Sequence, residues 1–165
     1  VTIKLIRATP TTDFDAIREV YYQSWQATYA DQLPATYLAQ LNRQQWHPET
    51  RWQTTWLAVT ANGEIVGVCS YGAARNSDYT GWGEVYSIYL LPQYQRQRIG
   101  ERLMKAAMKD LATQYEHYYL AVLETNVDAQ HFYEQLGFKR SKHRYQQAIP
   151  DGVLTTMTYE KSKSQ

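Results

Sequence analysis

Two hydrophobic periods alternate along the chain, and each change of period marks a boundary. Thr2 to Arg7 alternates as a strand does, and Thr11-Thr12-Asp13 then offers capping side chains to a helix carrying Ile17, Val20, Tyr21 and Trp25. A second helical piece is predicted from Pro34 to about Gln45, with Tyr37, Leu38 and Leu41 on one face and Pro34 in its first turn. Thr54 to Thr60 and Glu64 to Ala74 read as strands joined at Ala61-Asn62-Gly63, where the Asn-Gly pair favours the positive φ angles of a tight turn. After the polar stretch Arg75 to Gly81, a strand is expected from Trp82 to Leu90. Ile99, Leu103, Ala107 and Leu111 then recur every four residues, which predicts a helix reaching about Tyr115. Tyr118 to Leu123 is again a strand, followed by a helix with Ala129, Phe132, Tyr133 and Leu136 inward and Gly137 as its stop. Phe138 to Ala148 and Leu154 to Glu160 close the chain as a hairpin turning at Pro150-Asp151-Gly152. This order predicts an α/β (α+β) fold with a central mixed, mostly antiparallel sheet of about seven strands and helices on both faces.

Composition narrows the class without naming it. With 165 residues, 44% of them hydrophobic, a single domain over 1–160 is expected, with 161–165 as a polar tail ready to fray. The net charge of +1 gives no whole-molecule reason to expect nucleic acid or an anionic membrane. The single cysteine, Cys69, excludes an internal disulfide, and the histidines His47, His117, His131 and His143 have no metal-ligand spacing, so no metal is expected. Val1 to Arg7 is too short in apolar length for a signal peptide, and no apolar run nears the roughly 20 residues of a membrane helix. A soluble, cytoplasmic protein is the expectation.

Leu90 to Leu103 is the stretch around which the rest is organised. There a strand ends, Pro92 stops it, and a helix begins at about Ile99. A helix start presents unpaired N–H groups and a positive dipole end, so such a turn can hold a phosphate or pyrophosphate, with Arg96, Arg98 and Arg102 adding matching charge. A solvated basic helix start is the other reading of the same residues. Trp25, Tyr29, Tyr37 and Trp46 could line an acceptor pocket or simply belong to the core.

Gln95 to Gly100 resembles the coenzyme-A motif [Q/R]-x-x-G-x-[G/A] of the GNAT (N-acetyltransferase) superfamily, preceded as there by a strand and Leu-Pro. Gln95 and Gly100 satisfy the pattern, while Arg98 stands where the family usually has its first glycine. The segment Asn126-x-x-Ala129-x-x-Phe132-Tyr133-x-x-x-Gly137-Phe138 resembles a second element of the same family. The resemblance implies acetyl-CoA as co-substrate, held by Gln95, Arg96, Gln97, Arg98, Ile99, Gly100 and Glu101. It also implies contributions from the backbone of Ile88, Tyr89 and Leu90, where the family's strand bulges, and from Asn126. It implies catalysis by Tyr133, beside the coenzyme sulfur, and by Glu84, the carboxylate that many members use through a water as general base.

Each implied role has a plainer competitor. Asn126 either holds a pantetheine amide or caps its helix, Tyr133 either donates a proton or packs, and Glu84 is either a base or a strand carboxylate. An alkylamine with a pKa of about 10.4 is mostly protonated at neutral pH, which is why a base is sought. A thiol of pKa about 8.5 leaves as an anion that a phenol of pKa about 10 can reprotonate. Cys69 lies far in sequence from both motifs, so direct attack on the thioester is expected rather than a covalent enzyme intermediate. The expected acceptor is an amine of a small molecule or peptide, with a non-catalytic CoA-binding or interaction module as the alternative. A nucleic-acid role for the Arg96 to Lys109 helix is disfavoured by Glu101 and Asp110, which interrupt its charge. Exposed edge strands leave room for a homodimer.

Overall fold

The computed structural model describes residues 2–165 as one seven-stranded sheet in the order β1-β2-β3-β4-β5-β7-β6. The strands are β1 (Ile3–Arg7), β2 (Thr55–Thr60), β3 (Ile65–Ala73), β4 (Gly83–Leu90), β5 (His117–Leu123), β6 (Lys139–Ile149) and β7 (Gly152–Ser162). The helices are α1 (Phe14–Tyr29), α2 (Ala35–Ala39), α3 (Ile99–Ala112) and α4 (Val127–Gln135). All neighbours pair antiparallel except β4 with β5. The predicted element order and mixed sheet are therefore present.

Side-chain alternation puts α1 and α3 on opposite faces. Gly67 of β3 faces Leu103 of α3 so closely that a Cβ there would meet the Leu90, Ala58 and Leu103 side chains. On the other face the Tyr21 hydroxyl of α1 is 3.2 Å from Ser87 Oγ of β4. The helices bury the expected stripes, Ile17, Val20 and Tyr21 on α1 and Leu103, Met104, Ala107 and Leu111 on α3. Truncating a side chain such as Leu103 to Ala would cost about 2–5 kcal/mol, lost transfer energy and cavity together. A second, smaller cluster joins Tyr29, Leu38, Leu123 and Leu154, so that the end of α1, α2 and the β6–β7 hairpin pack on one another.

Several boundaries differ from the expectation for local reasons. The second helix stops at Ala39, because Asn42 starts a separate 3-10 turn: its side chain accepts from Gln44 N while Gln45 reaches back to Asn42 N. At the β2–β3 turn only Gly63 takes a positive φ, +84°, and the register shifts at Ala58/Val59, as in a three-residue turn with a bulge. α3 ends at Ala112, with Thr113 donating its hydroxyl to Asp110 O. The C-terminal stretch is tied rather than free: β7 runs through Ser162, and Lys163 N donates to Glu116 O.

Candidate active site

The parallel pair β4–β5 is registered only at Gly83 with Tyr118 and Glu84 with Tyr119, and beyond that point the strands separate. The separation follows a bulge in β4. Ser70 pairs with Ser87 and Tyr71 with Val85, which leaves Tyr86 as an extra residue that bends the strand. Leu91 N donates to Val66 O, and the register places Tyr89 opposite Val68. Hydrogen-bonded pairs alternate along an antiparallel ladder, so the amides of Tyr89 and Leu91 point at β3, and those of Ile88 and Leu90 point into the gap. The Leu90 carbonyl on that side accepts a 2.7 Å hydrogen bond from Ser24 Oγ, which fastens α1 to the strand edge.

The gap opens into a continuous cleft of about 940 Å³ with two chemically distinct ends. One end is the turn before α3. Arg98 is the helix N-cap residue in left-handed conformation (φ +64°, ψ +12°), and no side chain caps this helix. Arg96 also has φ +64°. Each non-glycine residue held there costs about 1–2 kcal/mol, so the turn keeps a glycine-like path at a position the motif usually fills with glycine. By contrast, α1 is capped by Asp13 and α4 by Asn126. The first-turn amides of α3 are thus left for a ligand, with the exposed Arg96 and Arg98 beside them. Gly100 leaves the wall thin: a Cβ would only touch Leu90, Ile88 and Phe132 at 3.6 to 4.0 Å.

These features fit a pyrophosphate-bearing cofactor such as acetyl-CoA: uncapped amides, two cations, and two further amides at Ile88 and Leu90 along the gap. Gln95, Arg96, Arg98, Gly100 and Glu101 line the cleft. Gln97 and Ile99 do not. Ile99 is 2% exposed and belongs to the core, while Gln97 Nε2 lies 3.4 Å from Gln93 O. Tyr89 lines the cleft with its ring, its amide being committed to β3. Asn126 caps α4 by accepting from Ala129 N at 3.3 Å, and it lines the cleft as well.

Tyr133 stands at the gap. Its ring packs near Phe138 and Tyr159, at centroid distances of 6.2 and 6.5 Å. Burial pushes its phenol well above the ordinary value, with Tyr29 and Cys69 adding to the rise and no hydrogen bond opposing it. The group therefore holds its proton through the neutral range. Cys69 is fully buried, and burial pushes its thiol up to about 12, so it is no nucleophile.

Glu84 is not brought to this site. It is 3% exposed and absent from the cleft lining. One carboxylate oxygen accepts from Arg75 N at 2.9 Å and from the Tyr119 hydroxyl at 2.6 Å, and the other accepts from the Arg75 guanidinium at 2.6 Å. The carboxylate is therefore turned to Arg75 and Tyr119, away from the cleft where the expected general base would act. The cleft gains instead Trp25, Thr28 and Tyr29 of α1, Leu123 of β5, and Leu154 and Thr156 of β7. Trp25 and Tyr29 are two of the aromatics read from the sequence, whereas Tyr37 packs in the small cluster and Trp46 against Tyr21. His131 lies on the surface of α4 beside Glu134.

The comparisons with known proteins agree with this geometry. The acetyltransferase (GNAT) family pattern matches residues 14–138. The chain is 31% identical over 127 residues to the N-acetyltransferase YuaI of Bacillus subtilis, covering 73% of this chain and 72% of that one. In fold it is similar to the PaiA N-acetyltransferase of Thermoplasma acidophilum solved with coenzyme A (TM-score 0.76, 22% identity, 98% and 99% of the two chains). It is also similar to YncA of Salmonella typhimurium solved with acetyl-CoA (TM-score 0.73, 15% identity, 98% and 94%). With the family pattern spanning most of its length, from the first helix through the Gly137-Phe138 stop, the chain belongs to the GNAT family of N-acetyltransferases.

Proposed function

We propose that the protein transfers an acetyl group from acetyl-CoA to the primary amine of a small molecule by direct attack within a ternary complex. The observation that supports this reading is the β4–β5 gap, onto which the amides of Ile88 and Leu90 face within a cleft that Tyr133 also lines. Acetyl-CoA, when bound, supplies an acetyl thioester whose carbonyl carbon takes the amine nitrogen as the C–S bond breaks. The α3 amides with Arg96 and Arg98 bind the diphosphate and set how far the thioester reaches. An Ile88 or Leu90 amide donates to the carbonyl oxygen as charge gathers there. Tyr133 delivers its proton to the leaving sulfur and recovers one from solvent, while water accepts the proton lost by the amine. With Glu84 held by Arg75 and Tyr119 and the Cys69 thiol buried, neither serves as a nucleophile toward the thioester.

The test pairs acetyl-CoA binding by calorimetry with thiol release against a panel of amines. Saturable binding with amine-dependent release supports the reading. Binding with no release across the panel favours a CoA-binding module, which the left-handed Arg98 in the glycine position would then help to explain.

A further inference from the structure

The charge of the cleft is concentrated at one end. Of its lining residues, the charged ones are Arg96, Arg98, Glu101 and Asp128. The first three belong to the turn and first turn of α3. Asp128 lies in the first turn of α4, two residues after Asn126, whose side chain reaches the Tyr29 phenol. The opposite end is walled by Trp25, Tyr29, Tyr89, Leu123 and Leu154, with Thr28 at its rim. Trp25 packs on Tyr29 in a tilted arrangement, at a centroid distance of 4.5 Å, and approaches Tyr89 at 6.5 Å. Burial raises the phenols of both Tyr29 and Tyr89, so both are neutral.

Two further features shape this end. The indole N–H of Trp25 is buried and lies toward the Tyr89 phenol without completing a hydrogen bond to it. The far side is closed: the Thr36 hydroxyl donates to Asp151 at 2.7 Å, and a Cβ on Gly152 would lie 3.1 Å from the Pro34 ring. α2 and the β6–β7 tip thus meet beside the cluster of Tyr29, Leu123 and Leu154.

From this wall, and resting on the acetyl-transfer reading above, we infer that the acceptor is a small monoamine carried on an uncharged aromatic or branched apolar body. The rings attract the ammonium as it arrives, and the body fills the space against Trp25 and Tyr29. Loss of water around the ammonium then favours the neutral amine that attacks. An amino acid would bring a carboxylate that none of Trp25, Tyr29, Tyr89, Leu123 and Leu154 can meet, and a polyamine a second ammonium that none of them can pair.

The test compares kcat/KM for phenethylamine, phenylalanine, spermidine and a short peptide at fixed acetyl-CoA, with acetyl-CoA binding measured separately by calorimetry. Phenethylamine is expected to exceed each of the others by at least tenfold. Trp25→Leu is expected to lower kcat/KM for phenethylamine about tenfold while acetyl-CoA affinity stays within about twofold. Thr28→Glu, at the rim, is expected to move the spermidine to phenethylamine ratio toward spermidine by about tenfold. Equal or better turnover of spermidine, phenylalanine or the peptide by the unaltered protein overturns the assignment, as does acetyl-CoA binding with no turnover of phenethylamine. Failure to bind acetyl-CoA overturns instead the acetyl-transfer reading on which it rests.

Discussion

The two ends of the cleft offer opposite means of holding a ligand. The start of α3 offers main-chain amides that no side chain caps, behind a left-handed Arg98, with arginine side chains in solvent beside them. The end of α1 offers buried rings and aliphatic side chains with no formal charge. The first arrangement is made by consecutive residues and suits a ligand with fixed negative charge. The second is gathered from α1, β4, β5 and β7, and suits whatever fills it. Chemistry that is common to a family can therefore sit in one short segment, while selectivity is spread over elements far apart in the chain.

Tyr133, between the two ends, should give the largest effect. Tyr133→Phe is expected to lower kcat about a hundredfold or more while acetyl-CoA affinity changes less than about threefold. Parallel losses in kcat and affinity would make it a packing residue. Salt should separate the ends next. Raising ionic strength from about 0.05 to 0.5 M shortens the screening length severalfold, so acetyl-CoA affinity should fall about fivefold while the acceptor KM moves less than about twofold. A matching rise in acceptor KM would reveal a charged contact where none is described.

Glu84→Gln is expected to leave the pH profile in place and to lower stability by about 2 kcal/mol, or a melting temperature some 4–8 °C lower, through loss of the Arg75 pair. In both proteins kcat/KM for an alkylamine should climb with pH toward the amine's own value near about 10. Because burial raises Tyr133, the acid form persists upward, and no falling limb should cut in below about pH 10. An alkaline limb displaced by Glu84→Gln would restore that carboxylate as the base. The smallest effect belongs to Arg98→Gly. Release of left-handed strain, about 1–2 kcal/mol, is offset by glycine's added chain entropy and by one lost cation, so acetyl-CoA affinity should stay within about threefold or tighten. A large loss would mean that the Arg98 charge supplies most of the hold.

Local pattern sufficed where one helix face or one turn decides the outcome. The four-residue spacing from Ile99 to Leu111 and the Asn126 to Phe138 segment both placed their helices correctly against the sheet. Trp25 and Tyr29 stood out as large rings at helical spacing, yet nothing local distinguishes them from Tyr37, which packs in the small cluster. Leu123, Leu154 and Thr156 carry no signal as cleft residues, since only the parting of β4 from β5 and the pairing of β5 with β7 bring them there. Glu84 illustrates the converse. Its place on the strand before the turn was legible, but its engagement by Arg75 and Tyr119 depends on contacts with a loop and a neighbouring strand that no periodicity encodes.

A crystal structure with coenzyme A bound tests the arrangement most directly. The diphosphate should lie on the amides at the start of α3, and the sulfur should come within hydrogen-bond reach of the Tyr133 hydroxyl, about 3.5 Å, in the gap between Leu90 and α4. A diphosphate held elsewhere, or a sulfur well beyond that reach, would contradict both the role of the turn and the role of the tyrosine.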